Sequence, residues 1–288
     1  MGESELVLDG LPLEEVMRLL GVRGDLTAGA EPAEAPARRS TPPSEPVDEA
    51  PGEAPDWRSA LRAIGAEAPQ AQVPRASTSA GIAPGGLIVG ARDTVLEPAV
   101  ASLDSLEAVA ASIAACRRCG LHEGARNPVP GEGNPHAGFV CVGEAPGATE
   151  DETGRPFVGR AGELLTKIIA AVGFAREDVF ICNVLKHRPP GNRNPAADEI
   201  LACSPYLLRQ LALLQPRVIL ALGTFAAQTL LQTTQPVGKL RGQVHRYHGV
   251  PLIVTYHPAA LLRNPSWKRP TWEDVQLARR IFDNAAAG

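Results

Sequence analysis

The sequence predicts an α/β fold: a three-layer sandwich around a central, mainly parallel sheet, preceded by a disordered tail. Three observations predict it. Beyond residue 101, short apolar runs alternate with longer segments of helical periodicity, and repeated βα units imply a parallel sheet covered on both faces. The apolar runs are nearly continuous, as strands buried on both sides must be. The first hundred residues show neither pattern and are rich in Ala, Pro, Glu and Ser.

Residues 1–100 carry eight Arg and no Lys against sixteen Asp and Glu, while the rest carries twenty basic against sixteen acidic residues. The net charge of −4 therefore belongs to the N-terminal third, and the remainder is mildly basic. A segment of that composition buries too little apolar surface to offset its ordering entropy. Two short stretches interrupt it. Leu13, Val16, Met17 and Leu20 sit at helical spacing, as do Trp57, Leu61 and Ile64. They read either as transient helices or as docking peptides for a protein partner.

The domain is predicted over residues 101–288. Leu103, Leu106, Val109 and Ile113 share one face of a helix running into Cys116. A strand follows at Phe139–Val142, a helix at Ala161–Val172 ends at Gly173, and a second strand spans Val179–Leu185. Ala197–Leu214 is a helix stopped by Pro216, and Val218–Leu222 is a buried strand, with Thr224 placed to cap the next helix. Leu252–Tyr256 is another strand. The last helix is expected to start after Thr271, with Asp274 completing a capping-box pair. In open sheets of this kind ligands bind beyond the carboxyl ends of the strands, so the loops after Val142, Asn183 and Tyr256 should surround one cleft. No apolar run reaches the ~20 residues of a membrane span, and the N-terminus lacks the basic start and apolar stretch of a secretory signal. The chain reads as a soluble, cytoplasmic, bacterial-type monomer. Five cysteines, an odd number, argue for metal or core roles rather than disulfides.

Three strand-end loops carry the chemistry. The first is Gly143-Glu144-Ala145-Pro146-Gly147 followed by Gly154-Arg155-Pro156-Phe157-Val158-Gly159. The second runs from Asn183 through Lys186-His187-Arg188 to Pro195. The third runs from Tyr256-His257-Pro258 through Leu261-Leu262-Arg263 to Pro265. In this order, each after an apolar strand, they resemble the family 4, iron–sulfur uracil-DNA glycosylases over about residues 105–284.

The resemblance implies hydrolysis of the N-glycosidic bond of uracil in DNA, without strand cutting, to start base-excision repair. The target base is flipped out of the duplex for this chemistry. It implies that Glu144 positions water and that His257 donates to the leaving base, both as catalytic groups. Gly143, Ala145, Phe157 and Asn183 would bind the base, Phe157 by stacking and Asn183 by presenting a donor and an acceptor to the uracil edge. Leu261, Leu262 and Arg263 would enter the minor groove of uracil-containing DNA, unless the leucines pack inward. Arg188 and Arg193 suit phosphate contacts or a solvated basic loop alike.

The resemblance also implies a [4Fe-4S] cluster. Cys116 and Cys119 form a CxxC pair and Cys203 matches a third ligand, but His187 stands where the family has its fourth cysteine. Histidine replaces cysteine on iron in some clusters. Cys182 is the fallback ligand, Cys141 reads as core, and a three-Cys, one-His set also suits zinc. The segment Val184–His187 resembles as well a related subgroup that binds uracil-DNA and traps it covalently without turnover. That subgroup carries an extra basic loop with a reactive histidine, which this sequence lacks.

Overall fold

The computed structural model describes residues 86–89 and 97–285. The two amphipathic stretches near Leu13 and Trp57 lie outside the described residues. The elements are β1 (Ile88–Val89), α1 (Pro98–Ala101), α2 (Leu106–Ala114), α3 (Leu121–Gly124), β2 (Glu132–Gly133), β3 (Phe139–Gly143), α4 (Ala148–Thr153) and α5 (Arg160–Ala171). They continue with β4 (Phe180–Asn183), α6 (Ala197–Leu214), β5 (Val218–Leu222), α7 (Thr224–Leu231), α8 (Val237–Leu240), β6 (Val244–Tyr247), β7 (Val250–Thr255), α9 (Pro258–Arg263) and α10 (Lys268–Asn284). Among the described residues no helix is long and apolar enough to cross a membrane.

The sheet order is β1-β6-β7-β5-β3-β4-β2. Its centre, β7-β5-β3-β4, is parallel throughout, while β2 and β6 run antiparallel to their inner neighbours. Alternate residues of the central strands go to opposite cores. Val140, Val142, Ile219, Ala221 and Val254 pack with Leu207 and Leu211 of α6 and Leu230 of α7. Phe139, Cys141, Leu220 and Ile253 pack with Leu165 and Ile169 of α5 and Val275 and Ile281 of α10. Burial on both faces is the reason these strands read as unbroken apolar runs. A smaller cluster of Val109, Ile113 and Tyr206 clamps α2 to α6, and Ser112 Oγ and Tyr206 OH share a hydrogen bond at 3.3 Å.

Register places the site. Gly143 pairs with Asn183 and Leu222 with Thr255, so the loops after β3, β4, β5 and β7 leave the sheet side by side. The structure corrects three local expectations. Residues 88–89, within the stretch read as tail, form an edge strand on β6. Thr224 does not cap α7; Gly223 occupies that position at φ +89, with no side-chain cap. Helix α10 begins at Lys268, so Thr271 lies inside its first turn, where its Oγ1 donates to the Trp267 carbonyl at 2.9 Å instead of capping. Asp274 then serves a tertiary role, accepting from Thr255 Oγ1 at 2.8 Å, Arg241 Nε at 3.0 Å and Gly242 N at 3.1 Å.

Candidate active site

At the carboxyl ends of β3, β4 and β7 lies a cleft of about 380 Å³ whose walls include Glu144, Ala145, Glu150, Phe157, Asn183, His257 and Arg263. Asn183 is 1 % exposed, and its Oδ1 has no hydrogen-bond partner among the described residues. A buried amide oxygen left unpaired costs roughly 1–3 kcal/mol, so this one is held ready for a donor. Gly143 makes room for it: a Cβ there would lie 2.3 Å from Asn183 Oδ1 and 2.5 Å from Phe157 Cζ. Phe157 is buried at a positive φ of 51, with its ring centroid 5.5 Å from that of His257. The main chain can take this path because Gly162 lacks a Cβ, which would meet Phe157 O at 1.8 Å.

His257 caps α9. Its Nδ1 accepts from Ala259 N at 3.2 Å, so in the neutral ring the proton sits on Nε2. Burial, reinforced by the Arg263 cation, pushes the imidazole down to about 4. His257 is thus a neutral donor. Burial pushes the Glu144 carboxyl the other way, above the ordinary carboxylate range.

Of the two leucines expected to form a wedge, Leu262 is 40 % exposed and Leu261 only 1 %. Leu261 packs into the core against α5 and α10, which withdraws it from a DNA-facing role and leaves Leu262 and Arg263. Arg188 and Arg193 already have partners, including Asp151 of α4, 3.9 Å from Arg188, and Glu199 of α6. Arg188 Nε donates to Asn192 Oδ1 at 2.7 Å, and Arg193 grips both oxygens of Glu199.

Behind the cleft wall, Cys116, Cys119, His187 and Cys203 line one small pocket together with Arg118, Lys186 and Tyr206. Cys182 is fully buried in the same core cluster as Cys203 but is not among the residues lining this pocket. Cys203 Sγ accepts from Lys186 N at 3.3 Å, and burial pushes its thiol up to about 11. Burial, then the nearby His122 and Arg117, hold the His187 imidazole below its ordinary value, in the neutral form a metal ligand requires. Among the described residues no group of three His, Cys, Asp or Glu side chains is placed to share a single metal ion.

Residues 130–278 match the model of the uracil DNA glycosylase superfamily. The chain belongs to that superfamily. It is 46 % identical over 170 residues to a type-4 uracil-DNA glycosylase of Pyrobaculum aerophilum, covering 56 % of this chain and 87 % of that protein. It is also 46 % identical over 182 residues to a type-4 uracil-DNA glycosylase of Archaeoglobus fulgidus, covering 60 % and 92 %. A type-4 uracil-DNA glycosylase of Saccharolobus solfataricus is 45 % identical over 191 residues, covering 63 % and 88 %.

Two residues of this uracil-DNA glycosylase superfamily member escaped the sequence reading. Glu150 staples two site loops: Oε2 accepts from Gly147 N at 3.1 Å, and Oε1 accepts from Val158 N and Gly159 N at 2.9 and 3.0 Å. The capping-box spacing Gly147-x-x-Glu150 was the available signal. Lys186, 1 % exposed, donates from Nζ to Asn183 O and Gln210 Oε1, both at 2.7 Å. Its signal was a single charge closing an apolar run. Glu150→Gln turns an amide N–H₂ toward a backbone N–H whichever way it flips. The expected result is a stability loss of about 1–3 kcal/mol in thermal unfolding and a raised KM as Phe157 loosens. An unchanged Tm and KM would remove Glu150 from the site.

Proposed function

We propose that this chain is a monofunctional uracil-DNA glycosylase, hydrolysing the N-glycosidic bond of uracil in DNA to leave an abasic site. The observation that carries the reading is the unpaired Asn183 Oδ1 in a cleft beside Phe157 and a neutral His257. A flipped uracil stacks on Phe157 and offers its N3–H to Asn183 Oδ1, while the amide N–H₂ serves O4. As the bond to the sugar lengthens, negative charge builds on the base, and the His257 Nε2–H donates to uracil O2. A donor aimed where charge develops acts mainly in the transition state. Glu144, once ionised, orients the attacking water and favours the cationic sugar. Ala145 lines the cleft, Gly143 leaves room for the Asn183 amide and the Phe157 ring, and Leu262 and Arg263 hold the opened duplex.

The four pocket residues fit a [4Fe-4S] cluster with ligands Cys116, Cys119, Cys203 and His187. A zinc ion needs its ligands converging on one centre at about 2.0–2.3 Å. A four-iron cluster takes one ligand per iron, and so suits donors spread around a pocket. When bound, the cluster supplies a structural tie and no redox step. His187 also speaks against a covalent trap, because it lines the cysteine pocket and not the cleft.

Release of free uracil from a uracil-containing oligonucleotide, with none from its thymine counterpart, tests the reading. A shifted band on a denaturing gel instead of abasic product would indicate trapping. Base choice is tested by Asn183→Asp. A protonated carboxyl donates to cytosine N3 and accepts from its amino group, which the amide in its uracil-reading orientation does not match. Uracil excision should fall about tenfold, as one mismatched buried polar contact demands, and cytosine excision should become measurable. Full uracil activity with no cytosine release would show that Asn183 is not the reader.

A further inference from the structure

Next to the cleft, at the same carboxyl edge of the sheet, lies an aromatic pair that the proposed chemistry does not use. Tyr256, the residue before His257, stacks on Trp267 with ring centroids 4.5 Å apart and planes within 13° of parallel. Tyr256 is anchored from below by the α5/α10 core. Trp267 remains 37 % exposed although its indole lies on Tyr256. Among the described residues the exposed large apolar side chains are Ile88, Leu262 and Trp267. Two of these three fall within six residues of one another, on the segment that leaves His257.

The backbone under Trp267 is fixed. Its N–H donates to Asn264 O at 3.2 Å, its carbonyl accepts from Thr271 Oγ1 at 2.9 Å, and Ser266 Oγ ties to Asn264 Oδ1 at 2.6 Å. An indole presented this way is already ordered, so a ligand stacking on it loses little freedom of the protein.

Charge around the pair is positive. Arg241 and Arg269 are balanced by Asp274 and Glu273. Arg263, Lys167 and Lys239 are exposed and have no carboxylate partner among the described residues. Lys268, next to Trp267, lies close enough to Lys167 for the two cations to repel. Lys239 follows Gly238, which adjoins the Tyr256 hydroxyl. A flat aromatic face with exposed cations on the adjoining segments suits one ligand class: a nucleobase with its phosphates, since every base has a π face and single strands bind by stacking over a positive surface.

We propose that Tyr256 and Trp267 form a stacking platform for one unpaired nucleobase of the DNA strand flanking the excised nucleotide. It extends the site beyond the Leu262 wedge, and it rests on the reading of the chain as a uracil-DNA glycosylase. The platform favours single-stranded or locally opened DNA, where a neighbouring base is free to leave its stack.

The test compares the full-length wild type with Trp267→Leu, which keeps apolar bulk but removes the stacking face, and with Trp267→Phe, which keeps a smaller one. A uracil-free single-stranded oligonucleotide should quench tryptophan emission of the wild type, and the quench should vanish in both variants, leaving Trp57 and Trp272 silent. Trp267→Leu should bind that oligonucleotide about tenfold more weakly, a typical loss for one stacked base, and show a matching rise in KM with a much smaller change in kcat. Trp267→Phe should recover most of the affinity. Wild-type affinity in Trp267→Leu, or a loss confined to kcat, overturns the platform. If the leucine variant does not fold, an undiminished quench in Trp267→Phe overturns it just as well. Absence of uracil release by the wild type would instead overturn the reading on which it rests.

Discussion

His257→Ala should lower single-turnover release of uracil by about a hundredfold while DNA affinity stays within a few-fold of wild type. Removing one preorganised donor to a developing oxyanion typically costs 10²–10³ in rate, and the structure makes His257 such a donor. Its Nδ1 is occupied by Ala259 N–H, so Nε2 carries the proton. With the imidazole pushed down to about 4 by burial, the ring is neutral across physiological pH and becomes protonated only as pH falls through that value. A neutral donor gains strength as the leaving base acquires charge, whereas its contribution to ground-state binding is small. Glu144→Ala should cost a similar factor. Because burial raises the Glu144 carboxyl above its ordinary range, the acid limb of the rate profile should begin above that range as pH falls, persist in His257→Ala and disappear in Glu144→Gln. Rates within a few-fold of wild type for both alanine variants would refute the assignment.

Cys203→Ala should lose the cluster and destabilise the fold, the largest structural effect expected of any single substitution here. The four candidate ligands come from three separate segments: the turn after α2, the loop after β4, and α6. Metal bound to such a set contributes directly to folding free energy. Protein purified without oxygen should be brown and hold iron and sulfide in near-equal amounts, and a zinc-only protein would refute the cluster. His187→Cys should keep the iron. The wild-type cluster should have a higher potential than that variant, because a neutral imidazole replaces an anionic thiolate. Iron that survives His187→Ala but disappears in Cys182→Ala would make Cys182 the fourth ligand. Cys182 is fully buried and not among the residues lining the pocket, whereas His187 is, so iron should be lost in His187→Ala and kept in Cys182→Ala.

Much of the fold was legible wherever local pattern and tertiary burial agree. Strand β5 and helix α6 were read to the residue, because β5 is buried on both faces and α6 ends where Gln215 turns left-handed before Pro216. The three loops were legible as chemistry because Gly, Asn and His at strand ends occupy positions a parallel sheet exposes to ligands. Strands β1, β2 and β6 were not legible. They are two to four residues long and at the sheet margins, so what makes them strands is a neighbour distant in sequence.

The same division runs through the site. Sequence by itself determined which residue types stand at the ends of β3, β4 and β7. Only the tertiary structure decided where they point. Leu261 turns into the core while Leu262 stays outside, because a helix sends adjacent side chains about a quarter-turn apart and α9 lies against α5 and α10. His187 turns to the cysteine pocket and not the cleft, Glu150 reaches eight and nine residues ahead to pin the Phe157 loop, and Trp267 finds Tyr256. Spacing along a chain sets which side chains share an element's face; which face meets which partner is fixed by how the layers pack.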